Sequence, residues 1–304
     1  MSNLAILAER DLLKESLFRI ATDIDRLFDG LLPIPPDASA QLFRAMRHAA
    51  IGGGKRLRPL LVSASADLFA VPRDRSLRAG LAVECIHVHS LIHDDLPCMD
   101  DDDIRRGKPT VHVAFDEATA VLAGDALLAM AFEILGDPET HPDAEVRCEL
   151  TRELAHAAGA FGMAGGQMLD LRPLPTAVNL EAVARLQRLK TGAIINWAVD
   201  AGAVLGGASA EDRASLRGYS RSLGLAFQIA DDLLDVGGDE EAVGKRLRKD
   251  EAGGKENYVT LLGEDRARHQ AGMLVDQAIE HLYCFGPEAE LAAAIARFAI
   301  TRDR

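Results

Sequence analysis

HVHSLIHDDLPCMDDDDIRRGKPT, His87 to Thr110, decides how the rest of the chain is read. It carries Asp94 and Asp95, then Asp100 to Asp103, then the adjacent Arg105 and Arg106, with apolar helical sequence on both sides. Carboxylates at close range raise one another's pKa, so this density beside an apolar helix is unfavourable unless a cation occupies the site. Hard oxygen ligands suit Mg²⁺, which takes a few carboxylates and completes its shell with water and substrate phosphates. The spacing poses a problem, because six residues on a regular helix turn Asp94 and Asp100 roughly 120° apart. Pro97 lies between them and interrupts helical hydrogen bonding. An irregular turn at the C-terminal end of a helix is therefore expected, returning Asp100 to the side of Asp94.

One charge run by itself reads most simply as a solvated acidic loop. A second acidic cluster argues otherwise. In FQIADDLLD, 137 positions further on, Asp231 and Asp235 stand at i and i+4 and share one helix face. Like charges at that spacing weaken a helix, which again implies a cation. Basic groups lie on separate glycine-rich stretches. GGGKRLRP, Gly52 to Pro59, combines three glycines that permit a tight turn with Lys55, Arg56 and Arg58. It is not a phosphate loop of the Walker type, since Lys55 is followed by Arg. Lys190-Thr191-Gly192 lies inside a helical stretch, where Gly192 is costly unless something must approach closely. VGKRLRKDEAGGKENY supplies Lys245 and Lys255. Together these groups describe a site for two phosphorylated substrates, one bridged by metal and one held directly by Lys and Arg. No GxSxG motif and no Cys beside a base is present, so the chemistry is expected to be electrostatic.

Apolar residues recur at helical spacing almost throughout. Helices are expected from Leu4 to about Leu32, Ala40 to Ile51, Leu60 to Leu68, Ser76 to His93 and Ala114 to Ile134. Further helices are expected over Glu145 to Gly162, Leu180 to Leu205, Glu211 to Asp235, Leu261 to Phe285 and Glu288 to Ile300. No alternating strand pattern, linker or repeat interrupts them, so residues 1–304 read as one all-α domain. His87 and His93 fall on different helix faces, which speaks against a histidine metal site, and His93 is expected to hydrogen-bond near the acidic entrance. A net charge of -13 makes nucleic acid an unsuitable partner. The four scattered cysteines fit reduced thiols in a cytosolic protein. The N-terminus meets Glu9 and Asp11 too early for a signal peptide. No run approaches the roughly 18 apolar residues of a membrane helix, since even AVLAGDALLAMAFEIL contains Asp125 and Glu133.

From GGGKRLRP to GGKENY the chain resembles a trans-isoprenyl diphosphate synthase of the bacterial farnesyl/geranylgeranyl diphosphate synthase branch. DDLPCMDDDDIRRGKPT resembles that family's first aspartate-rich motif in its longer form. GGQMLD, KTG, FQ and DDLLD resemble the remaining motifs in order and spacing. The resemblance implies a single large helical bundle with a central cavity, a cytoplasmic homodimer, and roughly three Mg²⁺ ions. It implies that Asp94, Asp95, Asp100, Asp231, Asp232 and Asp235 bind Mg²⁺ and, through it, an allylic diphosphate. Arg105, Lys190 and Lys245 would contact the same diphosphate, with Gln228 and Thr191 lining its cavity. Lys55, Arg58, His87 and Arg106 would hold isopentenyl diphosphate, and Lys255 would close over the site. Of these, Asp94, Asp95, Asp100, Arg105, Lys190, Asp231 and Lys245 would carry the catalysis.

The residue about one turn before Asp94 would act as a floor for the growing chain; here it is His89, with Ser90 beside it. His89 departs from the tyrosine usual in short-chain relatives and is intermediate in bulk, which favours a C15 product over C20. Asn257, where a small hydroxyl residue is more usual, and the bulky Trp197 receive no role from the resemblance. A class I terpene cyclase would share the helical fold and the ionisation, but its second metal motif mixes Asn, Ser and Glu. A non-catalytic partner subunit would usually lack one of the two aspartate motifs.

Overall fold

Ala- and Leu-rich sequence with helical periodicity can bury a wide stripe on closely spaced neighbours, and the chain does so in nearly all its length. A computed structural model describes residues 3–171, 180–237 and 257–301. The order is α1 (Asn3–Leu31), α2 (Ala40–Ala50), α3 (Leu57–Asp67), α4 (Arg73–Asp94), a two-residue hairpin of β1 (Ile104–Arg105) and β2 (Lys108–Pro109), and α5 (Val111–Ala114). Then follow α6 (Glu117–Gly136), α7 (Ala144–Ala158), α8 (Met163–Asp170), α9 (Leu180–Gln187), a π-turn (Arg188–Gly192), α10 (Ala193–Leu205) and α11 (Ala210–Gly237). After residues 238–256, α12 (Tyr258–Leu262), α13 (Glu264–Glu280), a 3₁₀ turn (Tyr283–Ala289) and α14 (Glu290–Thr301) complete the described chain.

These helices share one apolar core. The broadest packing is α4 on α6, α11 on α13, and α3 on α10. Tyr219 of α11 is buried and donates its hydroxyl to the Ala292 carbonyl of α14 at 2.8 Å. Trp197, without a role in the sequence reading, is a core residue: it is 5% exposed, and its indole N–H donates to the Leu150 carbonyl of α7.

The sequence pattern gives the helices but not all of their interruptions. Expected as one helix, 114–134 begins only at Glu117, because the Asp116 carboxylate accepts the Thr119 N–H and caps α6. Residues 145–162 break at Gly159, and α8 starts afresh at Met163. Residues 261–285 divide at Gly263, whose φ of 81° ends α12 and starts α13. Residues 180–205 contain the π-turn. The hairpin at 104–109, too short for a strand pattern, reverses the chain through Arg106 and Gly107, both at positive φ.

One sequence expectation needs correction. By length and composition α6 is apolar enough to cross a membrane, with a peak mean hydropathy of 1.7, despite Asp125 and Glu133. Its high alanine content explains this: Ala123, Ala131 and Leu127 seal it against the core on one side. Val121 and Leu122 remain exposed on the other.

Candidate active site

The first acidic cluster forms where α4 ends. Asp95 is the C-terminal cap, and beyond it Met99 N–H returns to the Leu96 carbonyl and Asp100 N–H to the Asp94 carbonyl, both at 2.8 Å. The expected irregular turn is therefore present and brings Asp100 back to Asp94. Burial is the main cause of a raised Asp94 pKa, pushed up to about 6; Asp100 and Asp95 add to the rise, while Lys190 and Arg105 oppose it. Asp95 is different. Its side chain is 4% exposed and accepts the Arg105 Nε–H on both oxygens, at 2.6 and 2.9 Å, while Arg105 Nη2 also reaches Oδ1 at 2.6 Å.

The second cluster lies in the last two turns of α11. Asp231 and Asp235 are half-buried, whereas Asp232 is 3% exposed and turned into the protein. Gln228 Nε2 donates to its Oδ1 at 3.0 Å, and the Tyr258 N–H donates to its Oδ2 at 2.9 Å. Asp95 and Asp232, both expected among the metal ligands, thus each have both oxygens engaged by the protein. Asn257, unexplained by sequence, makes the tie from Tyr258 possible. It is the buried N-cap of α12, in a reciprocal capping box with Thr260.

Lys190 lies beside the first cluster. It sits in the π-turn, which packs on α8 and α11. Its ammonium lies 2.7 Å from Asp170 Oδ2 and is raised in pKa by Asp170, Asp94 and Asp100 against the cost of burial. A π-turn widens a helix by one residue and is often found at functional positions; here it turns Lys190 toward α8. The close approach expected at Gly192 occurs instead at Gly166, where a Cβ would stand 2.3 Å from the Lys190 nitrogen. At Gly192 a Cβ would meet nothing nearer than 3.7 Å. Thr191 is half-buried beside it.

The basic groups divide. Arg106 Nη1 donates to the Gly53 carbonyl at 3.1 Å, so the hairpin is docked on the glycine-rich loop. Between that loop, α4 and the hairpin is a small cleft lined by Gly52, Gly53, Leu91, Asp95, Arg105 and Arg106 among others. Lys55 Nζ lies 5.3 Å over the Phe298 ring. His87 is held neutral, its pKa pushed far down by burial and then by Arg58, Arg106, Arg105 and Arg56. It can donate one hydrogen bond to a phosphate but brings no charge. Arg56 is no part of this cationic surface: it is 2% exposed and consumed in ion pairs with buried Glu84 and half-buried Asp25.

His93 does not turn to the acidic entrance, as expected, but to α6. Its Nε2 is 3.1 Å from the Val121 carbonyl, and its ring stands edge-on to His89 at 4.6 Å. His89 Nδ1 pairs with the Gly124 carbonyl at 3.0 Å, and burial together with His93 depresses its pKa to about 4. Ser90 donates to the His87 carbonyl. Lys245 and Lys255 lie outside the described residues.

The sequence assigns no role to Asp170 of GGQMLD, because nothing in it shows that this carboxylate meets Lys190, 20 positions away. Gln167, from the same stretch, is 8% exposed, and neither amide atom has a hydrogen-bond partner among the described residues. Nor do the described residues draw three or more His, Cys, Asp or Glu side chains together as a ready metal cage. The donor set still fits Mg²⁺, which is commonly held by one or two carboxylates and substrate phosphates. Burial, the main cause of the raised Asp94 pKa, and the neighbouring Asp100 and Asp95 all disfavour its charged form, a cost that such an ion would relieve.

Similarity to known proteins extends over most of the chain. The polyprenyl synthetase family profile matches residues 39–289. Farnesyl diphosphate synthase of Escherichia coli is 44% identical over 274 residues, covering 88% of this chain and 92% of the relative. A solved FPP/GFPP synthase of Zymomonas mobilis is 52% identical with a TM-score of 0.87, covering 95% of this chain and 99% of the other. A Helicobacter pylori geranyltransferase, solved with magnesium and isoprenyl diphosphate, is 33% identical with a TM-score of 0.79, covering 94% and 96%.

Proposed function

The chain belongs to the polyprenyl synthetase family, and we propose that it condenses isopentenyl diphosphate with dimethylallyl or geranyl diphosphate, giving mainly the C15 product, farnesyl diphosphate. It is a prenyl transferase. The observation that carries this reading is the pairing of two carboxylate clusters, each at a helix C-terminus, with a separate cationic loop and hairpin.

Bound Mg²⁺, roughly three ions, would supply charge neutralisation of a departing diphosphate so that the allylic C–O bond can ionise. Asp94, Asp100, Asp231 and Asp235 offer the oxygens that hold it. Asp95 and Asp232 act one layer behind, orienting Arg105 in one cluster and tying α11 to α12 in the other. Lys190 and Arg105, with Lys245, add fixed positive charge where charge develops on the leaving group. Lys55, Arg58, Arg106 and neutral His87 hold isopentenyl diphosphate, whose double bond attacks the allylic cation. Thr191 and Gln228 line the allylic cavity, and Lys255 closes over it to exclude water. Among the described residues no side chain stands as the base for the final proton, which passes to the released diphosphate.

His89, pinned to α6 through Gly124, acts as the floor for the product tail, with Ser90 beside it. One polyprenyl synthase domain spanning 1–304 and a cytoplasmic homodimer complete the reading; the exposed Val121 and Leu122 of α6 support a subunit contact. The test is a product assay with Mg²⁺, labelled isopentenyl diphosphate and dimethylallyl diphosphate, sizing the dephosphorylated alcohols. A C15 alcohol supports the reading; a C20 alcohol makes the chain a geranylgeranyl diphosphate synthase with a deeper floor. Absence of elongation sinks the synthase and leaves the cyclase or the partner subunit.

A further inference from the structure

Arg56 adopts φ 52°, a left-handed conformation that a non-glycine residue holds only when its surroundings over-determine it. The surroundings are specific. Its guanidinium donates to Glu84 Oε1 of α4 at 2.7 Å, to Asp25 Oδ1 of α1 at 2.6 Å and to the Ala50 carbonyl at the end of α2. The Phe28 ring lies against it at 5.8 Å. The other Asp25 oxygen accepts the Gly52 N–H at 3.1 Å. One carboxylate therefore grips the glycine-rich loop at both ends, Gly52 and Arg56, while Gly52 and Gly54 make the turn between them at φ 75° and 82°.

We propose that the Asp25–Arg56–Glu84 triad is a positioning device for the isopentenyl diphosphate site, fixing the loop that presents Lys55 and Arg58 against His87 and Arg106. Each of the four groups is adjacent to it. Lys55 precedes Arg56 directly, and Arg58 follows it two residues later. His87 is one turn beyond Glu84 on α4. Arg106 packs so closely on the loop that a Cβ on Gly54 would stand 2.5 Å from its Nη2. Stability alone is a poor reason for this arrangement. Buried ion pairs are often no better than apolar packing, and no described residue hydrogen-bonds Glu84 Oε2.

The inference rests on the proposed use of Lys55, Arg58, His87 and Arg106, and the experiment separates the two. Asp25→Ala, at a partly exposed position on α1, frees the Gly52 end of the loop and removes one of Arg56's three anchors, while Glu84 still balances the buried guanidinium. Initial rates are measured for wild type and variant while each substrate is varied in turn, beside thermal melting of each protein. The expected result is a KM for isopentenyl diphosphate raised about tenfold, with kcat and the KM for geranyl diphosphate within about twofold. Arg56→Lys, which keeps the charge and loses the fork, should shift the same constant in the same direction. Equal changes in both KM values, or a loss of active protein with both unchanged, would overturn the positioning role. A wild type that binds and uses no isopentenyl diphosphate would instead remove the functional reading on which it rests.

Discussion

The two acidic clusters contain the same residue type at helix C-termini and are built by different means. The second is ordinary helix: Asp231 and Asp235 share a face because 3.6 residues make a turn. The first is not a helical face at all. Asp94 and Asp100 come together only because the chain leaves the helix at Asp95 and folds back. Both ends carry the negative pole of a helix dipole, so both place carboxylates where the backbone already disfavours them. In each, the second aspartate of the pair is turned inward: Asp95 onto a cationic partner, Arg105, and Asp232 onto neutral donors, Gln228 and the Tyr258 N–H. A paired carboxylate can thus hold a cation with one member and organise its surroundings with the other.

The largest effects should come from the outward members. Asp94→Ala and Asp231→Ala should each lower the condensation rate by about three orders of magnitude, since each removes charge stabilisation at the leaving diphosphate. If Asp231→Ala keeps wild-type turnover, the clusters do not serve one site.

Substituting the inward members tests the difference itself. Asp95→Asn and Asp232→Asn should cost about 10- to 100-fold in activity or Mg²⁺ affinity, as losses of supporting contacts usually do. The Asp95 change should be the larger, because it also frees Arg105. Titration of Mg²⁺ with each variant checks the order.

Near Lys190, Gly166→Ala should destabilise the protein by about 1–3 kcal/mol, because its Cβ collides with backbone. Gly192→Ala should be neutral or stabilising by about 1 kcal/mol or less. Denaturant melts of the pair decide whether the close approach is at α8, where the geometry has it.

The smallest effect is a pH dependence. The folded-state pKa of Asp94, about 6, lies above its ordinary value of 3.8. The folded protein therefore binds this proton more tightly than the unfolded chain. The resulting destabilisation is absent below about pH 4, grows through pH 4 to 6 and is complete above. Metal-free Asp94→Asn should melt higher than wild type above pH 6 while losing activity. Equal melting temperatures at pH 7.5 would mean that Asp94 is not strained without a cation.

How far the sequence could be read follows local physics. The periodicity of α1, α2, α4 and α11 was sufficient to place them within a few residues, and Pro97 pointed to the turn after Asp95. Where long-range contacts decide the outcome, spacing was silent. The π-turn depends on α8 packing against Lys190, and the hairpin at 104–109 on Arg106 docking at Gly53. His93 adjoins Asp94 in sequence, yet its ring turns to α6, whose Val121 carbonyl lies 28 positions away and is invisible to local spacing.

By itself the sequence determined the helical class, the two acidic clusters and the family, because helix periodicity and motif spacing are local properties of the chain. Only the tertiary structure decided which charges face the site and which are spent inside the protein. Arg56, Asp95 and Asp232 resemble their functional neighbours in one dimension. A charge's role depends on what balances it when water is removed, and for each of these three at least one balancing group comes from another helix, loop or turn.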